Sequence, residues 1–193
     1  MRKSREEAAQ TRKRIVKAAS EEFRKNGIVA TGLNDLMSAA GLTHGGFYKH
    51  FSSRDDLMRQ AAALALVDGE TKMARAARRN REEPRTGLID SYLSARHRDA
   101  PGTGCAVVSL GAAAGRGEAE MKEAYEKQVR SYLELISGTA DGDDSDEARA
   151  DAMLTLSAMV GALLMSRAVA DPELSDQLLR TVAARLKGEP VQS

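Results

Sequence analysis

The sequence predicts an all-α protein: an N-terminal three-helix domain containing a helix-turn-helix, then a larger helical domain, about nine helices in all. Three observations predict it. Only four prolines occur in 193 residues. Long stretches are rich in Ala, Leu, Arg and Glu, which favour helix. Apolar residues recur at spacings of three and four, the period of a helix face. The chain is long enough for one or two small domains with a core. With 42% hydrophobic and 30% charged residues it is globular rather than disordered.

The first helix is expected over about 5–25, with Ile15, Ala19 and Phe23 on one face and Gly27 ending it. Residues 1–10 are polar and read as a frayed, solvated tail, although Arg2, Lys3 and Arg5 could follow a minor groove as a basic arm. The stretch 33–51, LNDLMSAAGLTHGGFYKHF, reads as helix, turn, helix. Leu33, Leu36, Met37 and Ala40 share a face, Gly41 suits a turn that needs positive φ, and Thr43 suits the N-cap of a helix over 44–51. Phe47 and Phe51 lie four apart on the apolar side of that helix. Phe23, Phe47 and Phe51 are all the phenylalanines the chain has, and they are expected in the core. The other side carries His44, Tyr48 and Lys49, with His50 at its edge. A short helix with one apolar and one hydrogen-bonding face suits a DNA major groove.

A helix over about 54–79 follows, capped by Ser53 and opened by Asp55 and Asp56 at the positive end of its dipole. No Pro/Gly/Ser linker precedes it, so it is expected to be a rigid rod. Pro84 starts a helix over about 84–97. Residues 99–104 are turn-rich, 105–114 form a small apolar helix, and the glycines at 115 and 117 break it. A helix over 118–137 presents Met121, Tyr125, Val129, Tyr132 and Leu133. Residues 141–147 form an acidic loop, read as solvated rather than as a cation site. The last two helices span about 146–169 and 172–186. The first of them has small residues Ala158, Gly161 and Ala162, and the second a Leu174, Leu178, Val182, Leu186 stripe.

Charge is unevenly spread. Residues 1–60 hold 12 Lys/Arg against 7 Asp/Glu, a net +5, and the remainder 17 against 21, a net −4. The basic excess coincides with the helix-turn-helix, as phosphate binding requires. A single cysteine rules out an internal disulfide. No signal peptide and no membrane span are expected, so the protein is expected in the cytoplasm.

Other chemistries find little support. Cys105 and His97 could pair as nucleophile and base, but no orienting residue or oxyanion motif accompanies them. The glycines at 111, 115 and 117 lack the Lys-Ser/Thr of a phosphate loop. No Cys/His cluster has metal-ligand spacing, and no cofactor is expected. An architectural DNA-binding protein would spread basic charge along most of the chain, whereas the C-terminal two-thirds is net acidic.

The segment 12–57 resembles the DNA-binding domain of the TetR family of bacterial transcriptional repressors. The resemblance rests on Arg14-Ile15, Ala18-Ala19, Phe23, Gly27, Thr31, Asp35-Leu36, Ala40-Gly41-Leu42-Thr43, Gly45, Tyr48, His50-Phe51, Arg54 and Leu57. Gly32 stands where the family usually has Ser or Thr, and Gly46 where a small hydroxyl residue is common. The resemblance implies a helix-turn-helix domain over 1–52 and a ligand-binding and dimerisation domain over 53–193. It implies a non-enzymatic homodimer, joined through its two C-terminal helices, that binds a palindromic double-stranded operator and is released by a small-molecule inducer. The implied DNA contacts are Thr31, Thr43, His44, Gly45, Gly46, Tyr48, Lys49, His50 and Arg54. Candidate inducer-lining residues are Tyr92, Arg96, His97, Cys105, Ser109, Met121, Tyr125 and Met159, although methionine and tyrosine stripes are more often plain core than pocket. The His97-Arg98-Asp99 turn and the Gly104-Cys105 step resemble those of a TetR subgroup, and some similar repressors answer electrophiles or oxidants through a cysteine placed this way. A thiol at a helix start sits at the positive end of the dipole, which favours the thiolate. The preferred reading of Cys105 is nonetheless a small buried space-filler next to Ala106 and Val107.

Overall fold

The computed structural model describes residues 2–28, 30–139 and 145–190, with the side chains of all of these except 2–4 and 44. The described residues form nine α-helices: α1 (Arg2–Asn26), α2 (Leu33–Ala39), α3 (Arg54–Arg79), α4 (Pro84–Tyr92), α5 (Ala95–Arg98), α6 (Ala106–Arg116), α7 (Ala119–Ser137), α8 (Asp146–Ala168) and α9 (Pro172–Leu186). Two 3-10 segments, His44–Lys49 and Pro101–Thr103, complete the elements, and no strand occurs among the described residues. The all-α expectation is met.

Packing sorts the chain into two compact units. One holds the described residues up to Val67 together with Pro101–Ala124. The other holds Asp68–Ala100 together with those from Tyr125 onward. The functional division expected at 52/53 concerns what each part binds, which is a different matter from how the chain packs.

In the first unit, Ile15, Ala19 and Phe23 of α1 are fully buried with Leu36, Met37, Phe47, Leu57, Ala61 and Ala65. These are the positions that the helical spacing marks as apolar. Phe47 stacks on Phe51 with ring centroids 5.5 Å apart. The turn after α2 is held by two bonds, Gly41 N–H to the Ser38 carbonyl and Leu42 N–H to the Met37 carbonyl, both 2.9 Å. Gly41 stands there at φ +69°, which a side chain would strain. The Asp35 carboxylate accepts from the Gly32 N–H at 3.2 Å and tightens the start of α2. Ser53 caps α3 as expected, its Oγ accepting from Asp56 N–H at 3.1 Å.

In the second unit, α8 and α9 pack on each other. Buried Ala152, Leu156, Met159, Ala162 and Leu163 of α8 meet a core that includes Leu179 and Ala183 of α9, Leu88 and Ile89 of α4, and Tyr132 and Ile136 of α7. By length and composition α8 is apolar enough to cross a membrane. Its apolar positions divide instead between this core and an exposed face.

Several boundaries differ from expectation. The second helix of the helix-turn-helix is a 3-10 segment ending at Lys49, not an α-helix reaching Phe51. Gly45 and Gly46 weaken α-helix there, and Gly46 N–H closes a three-residue turn on the Thr43 carbonyl at 3.1 Å. The helix expected over 84–97 stops at Tyr92. Ser94 begins a new one, α5, by accepting from His97 N–H at 3.2 Å. Helix α1 begins at Arg2 rather than near residue 5, so the basic stretch at 2–5 is helix rather than a tail. Helix α6 runs through Gly115 to Arg116, and Gly117 follows as its C-cap. Most of the acidic loop lies outside the described residues; its end supplies Ser145, which caps α8 by accepting from Ala148 N–H at 3.1 Å.

Candidate nucleic-acid interface

The 3-10 segment is a two-faced element. Phe47 is fully buried, while Tyr48, the next residue, is 71% exposed. The two rings meet edge to face at 5.2 Å, so the buried ring steers the exposed one. Thr43, Gly45 and Lys49 are exposed beside Tyr48, and Gly46 and His50 are half-buried. A Cβ on Gly45 would meet nothing within 4 Å, so its backbone is open to a close approach. Thr43 occupies the N-cap position, but its hydroxyl makes no capping bond. That hydroxyl, the Tyr48 phenol and the Lys49 ammonium are donors of the kind that phosphate oxygens and base edges accept. His44 opens the segment.

Thr31 and Arg54 are placed differently. Thr31 is buried, and its hydroxyl donates to the Gly27 carbonyl at 2.7 Å. Arg54 Nη2 donates to the Ile28 and Thr31 carbonyls at 3.0 and 2.9 Å. Both brace the turn between α1 and α2, where Gly27 adopts φ +81°.

Arg12 was not singled out by sequence, yet it anchors the end of the 3-10 segment His44–Lys49. Its Nε donates to the His50 carbonyl at 3.1 Å, its Nη1 to Gln60 Oε1 at 2.6 Å, and its guanidinium lies 4.8 Å from the Phe51 ring centroid. Gln60 in turn donates to Asp56 at 2.7 Å, and that bond is the largest cause holding the Asp56 carboxyl below the ordinary carboxylate range. Arg24 is a second unforeseen anchor. It is buried in the first unit, donating to the Gly102 carbonyl at 2.8 Å and the Ala65 carbonyl at 3.3 Å. Partners so far off in sequence leave no local pattern from which to read them.

The candidate inducer residues fall in both units. In the first, Cys105 is buried as the N-cap of α6, and Ser109 and Met121 are half-buried. In the second, Tyr92 and Met159 are buried, Tyr125 is half-buried and Arg96 is exposed. Also in the second, His97 packs its ring edge to face on Tyr92 at 4.9 Å and donates Nδ1–H to the Tyr92 carbonyl at 2.7 Å. Burial, aided by the charges of Arg167 and Lys72, pushes this imidazole down to about 4, against the raising effect of the Tyr92 bond. His97 is therefore neutral at pH 7. Among the described residues no group of three or more His, Cys, Asp or Glu is placed to hold a metal ion.

Comparison with known proteins bears on this geometry. Residues 15–61 match the family model described as bacterial regulatory proteins, tetR family. The HTH-type transcriptional regulator TtgR of Pseudomonas putida is 34% identical over 93 residues, 48% of this chain and 44% of that protein. The HTH-type transcriptional repressor BepR of Brucella suis is 33% identical over 95 residues, 49% of this chain and 46% of that protein. The chain thus spans under half the length of these relatives. Among solved structures, a TetR transcriptional regulator from Chloroflexus aurantiacus superposes with TM-score 0.77 at 21% identity, covering 98% of both chains. The reduced form of E. coli NemR superposes with TM-score 0.76 at 18% identity, covering 95% of this chain and 99% of that one. At these identities the superpositions show a shared fold.

Proposed function

We propose, from the match of residues 15–61 to the tetR-family model, that the chain is a transcriptional regulator, not an enzyme, that represses from a palindromic operator and is released by a small-molecule inducer. The observation that carries the reading is the 3-10 segment, which presents Tyr48, Lys49 and Thr43 to solvent from a base of buried Phe47 and Phe51. Thr43, Tyr48, Lys49 and the Gly45 backbone form the contacting face, with His44, Gly46 and His50 beside it. Thr31 and Arg54 hold the α1–α2 turn that sets its angle. Two such faces, one per protomer, enter major grooves ~34–36 Å apart.

Homodimerisation is supported by an apolar face on the last two helices. Met153, Leu154, Leu164 and Met165 of α8 and Leu174 of α9 are exposed, and Leu178, Val182 and Leu186 are only partly covered. Turned toward a second copy across a two-fold axis, this face gives a four-helix interface. The residues from 53 onward then serve ligand binding and dimerisation, and a regulator of this kind works in the cytoplasm.

The test is selection of duplexes from a random library by the full chain, followed by binding of the enriched sequence with wild type and Tyr48→Ala. A palindromic consensus, bound with two protomers and weakened by the substitution, is expected. Enrichment of no sequence would overturn the proposal.

A further inference from the structure

The second unit buries few polar side chains, and one of them stands apart. Thr155 accepts from Arg85 at 2.8 Å, Ser166 donates to the Leu163 carbonyl at 3.0 Å, and Ser175 donates to the Ser166 carbonyl at 2.6 Å. Gln128 of α7 is only 4% exposed, and its Nε2 has no hydrogen-bond partner among the described residues. Buried amide donors are nearly always bonded, and leaving one unmade is costly. An apolar residue would serve packing better at this position.

The surroundings define what such a donor would meet. Gln128 lies one turn from Tyr132 on the buried face of α7, and Tyr132 is fully buried. The Tyr132 hydroxyl fits against α3 because residue 69 is glycine; a Cβ there would collide with it. The other buried side chains of the unit are mostly apolar, Ile89, Met159 and Leu163 among them, and none of the buried ones carries a charge. A charged side chain that reaches a buried residue of the unit, Arg85 on Thr155, is already paired with Asp151 at 2.7 Å, so an ionic ligand would have to compete for its counter-charge, and burying an unpaired charge is prohibitive.

We propose that Gln128 is a ligand-binding residue inside the second unit, its Nε2 donating to the acceptor oxygen of a neutral, largely apolar effector such as an aromatic carbonyl compound. The proposal rests on the inducer-responsive reading above and gives that inducer a chemical class. The amide is held unpaired by the fold and pairs when the effector enters.

The test uses the full chain and three fluorescent probes: Nile red, which is neutral with a carbonyl acceptor, 1-anilinonaphthalene-8-sulfonate, an anion, and rhodamine 6G, a cation. Titrations compare wild type with Gln128→Leu, and with Gln128→Met should leucine disturb folding. Nile red is expected to bind wild type and to lose about tenfold in affinity in the variant, the scale of one hydrogen bond to a buried group. The charged probes are expected to be unaffected by the substitution, and binding of the selected duplex without probe to be unchanged. Equal Nile red affinity in both chains, no Nile red binding to wild type, or equal weakening of all three probes would overturn the proposal. A thermally stabilised variant with undiminished Nile red binding would do so too, marking Gln128 as a polar residue satisfied by water. Loss of duplex binding in both chains with Nile red still discriminating would instead sink the regulator reading alone.

Discussion

The guanidinium of Arg12 lies over the ring of Phe51, 4.8 Å from its centroid, while its Nε donates to the carbonyl of His50, the next residue back. One side chain from α1 thus holds both the last ring of the phenylalanine stack and the carbonyl of His50, the C-cap of the 3-10 segment. Its Nη1 bond to Gln60 ties the same point to α3. Removing a planar five-donor group leaves the His50 carbonyl and the Gln60 oxygen to water, and a lysine cannot replace the fork.

Arg12→Met keeps apolar cover on Phe51 and deletes the bonds. The side chain is 42% exposed, so its ion pair with Asp56 adds little. The loss is expected at ~1–2 kcal/mol, with duplex binding weakened more than stability alone explains, because the segment loses its anchor. Thermal unfolding and duplex titration check this; unchanged affinity would mean that Arg12 serves stability only.

Tyr48→Ala and Lys49→Ala act on exposed groups and should leave helical content, thermal stability and oligomeric state within ~0.5 kcal/mol of wild type. Each lost phosphate contact should flatten the slope of log affinity against log salt by ~0.9. Wild-type slopes in both variants would show that this face does not meet DNA.

What was legible in the sequence follows from how local the physics is. Ile15, Ala19, Phe23, Leu36, Met37, Phe47 and Phe51 are buried where periodicity puts them, because one-sided burial imposes the helical repeat. Gly41 sits at positive φ, because the turn needs it. The 3-10 form of residues 44–49 escaped because periodicity over six residues cannot separate three from 3.6 per turn. Arg12 and Arg24 escaped because their partners lie 38–78 residues away, and Arg54, expected at DNA through the resemblance, bonds carbonyls 26 and 23 residues away. Gln128 was passed over because a polar letter within an apolar stripe looks like an exposed position. The stripe on α9 was visible, but its neighbours Ser175, Leu179 and Ala183 are the buried ones, which leaves the stripe itself facing outward.

Gly161→Glu tests the proposed dimer face. A Cβ on Gly161 meets nothing within 4 Å, so the glutamate has room in the isolated protomer. Across a two-fold axis it would confront its own copy or an apolar patch, at a cost of ~2–4 kcal/mol to association. Sedimentation should show dissociation at concentrations where wild type is dimeric, with helical content retained. A dimer of undiminished strength would place the interface elsewhere.

His97 gives stability a pH dependence. Its imidazole titrates at about 4 in the fold and near 6.5 in an unfolded chain. Between these values the unfolded chain binds a proton that the folded chain does not. Stability is therefore fully present above pH 6.5, falls as pH drops toward about 4, and has no further slope from this group below that. The loss is at most ~3 kcal/mol. His97→Gln, neutral throughout, should narrow the gap between unfolding free energies measured at pH 7 and pH 4.5. An equal gap in both chains would assign the acid sensitivity to other groups.

Cys105 separates two accounts of release. As the N-cap of α6 it is 3% exposed, and its followers Ala106 and Val107 are buried apolar residues. A thiol so enclosed reacts with a bulky reagent only when the chain opens locally, so its modification rate is tied to opening rather than to the thiol. N-ethylmaleimide is therefore expected to modify folded Cys105 slowly, and faster under mild denaturant. Cys105→Ala should retain duplex binding, with a stability change under ~1.5 kcal/mol for the small lost volume. If an adduct forms, it places bulk where a small side chain was packed, and the duplex-competent state can be disfavoured by strain alone. The two accounts part on treatment of the bound duplex with the electrophile. Retention by wild type, or release by wild type and Cys105→Ala alike, assigns Cys105 to packing. Rapid release by wild type alone, at reagent levels that leave its unfolding temperature unchanged before modification, would make Cys105 the sensor and the chain an electrophile-responsive repressor.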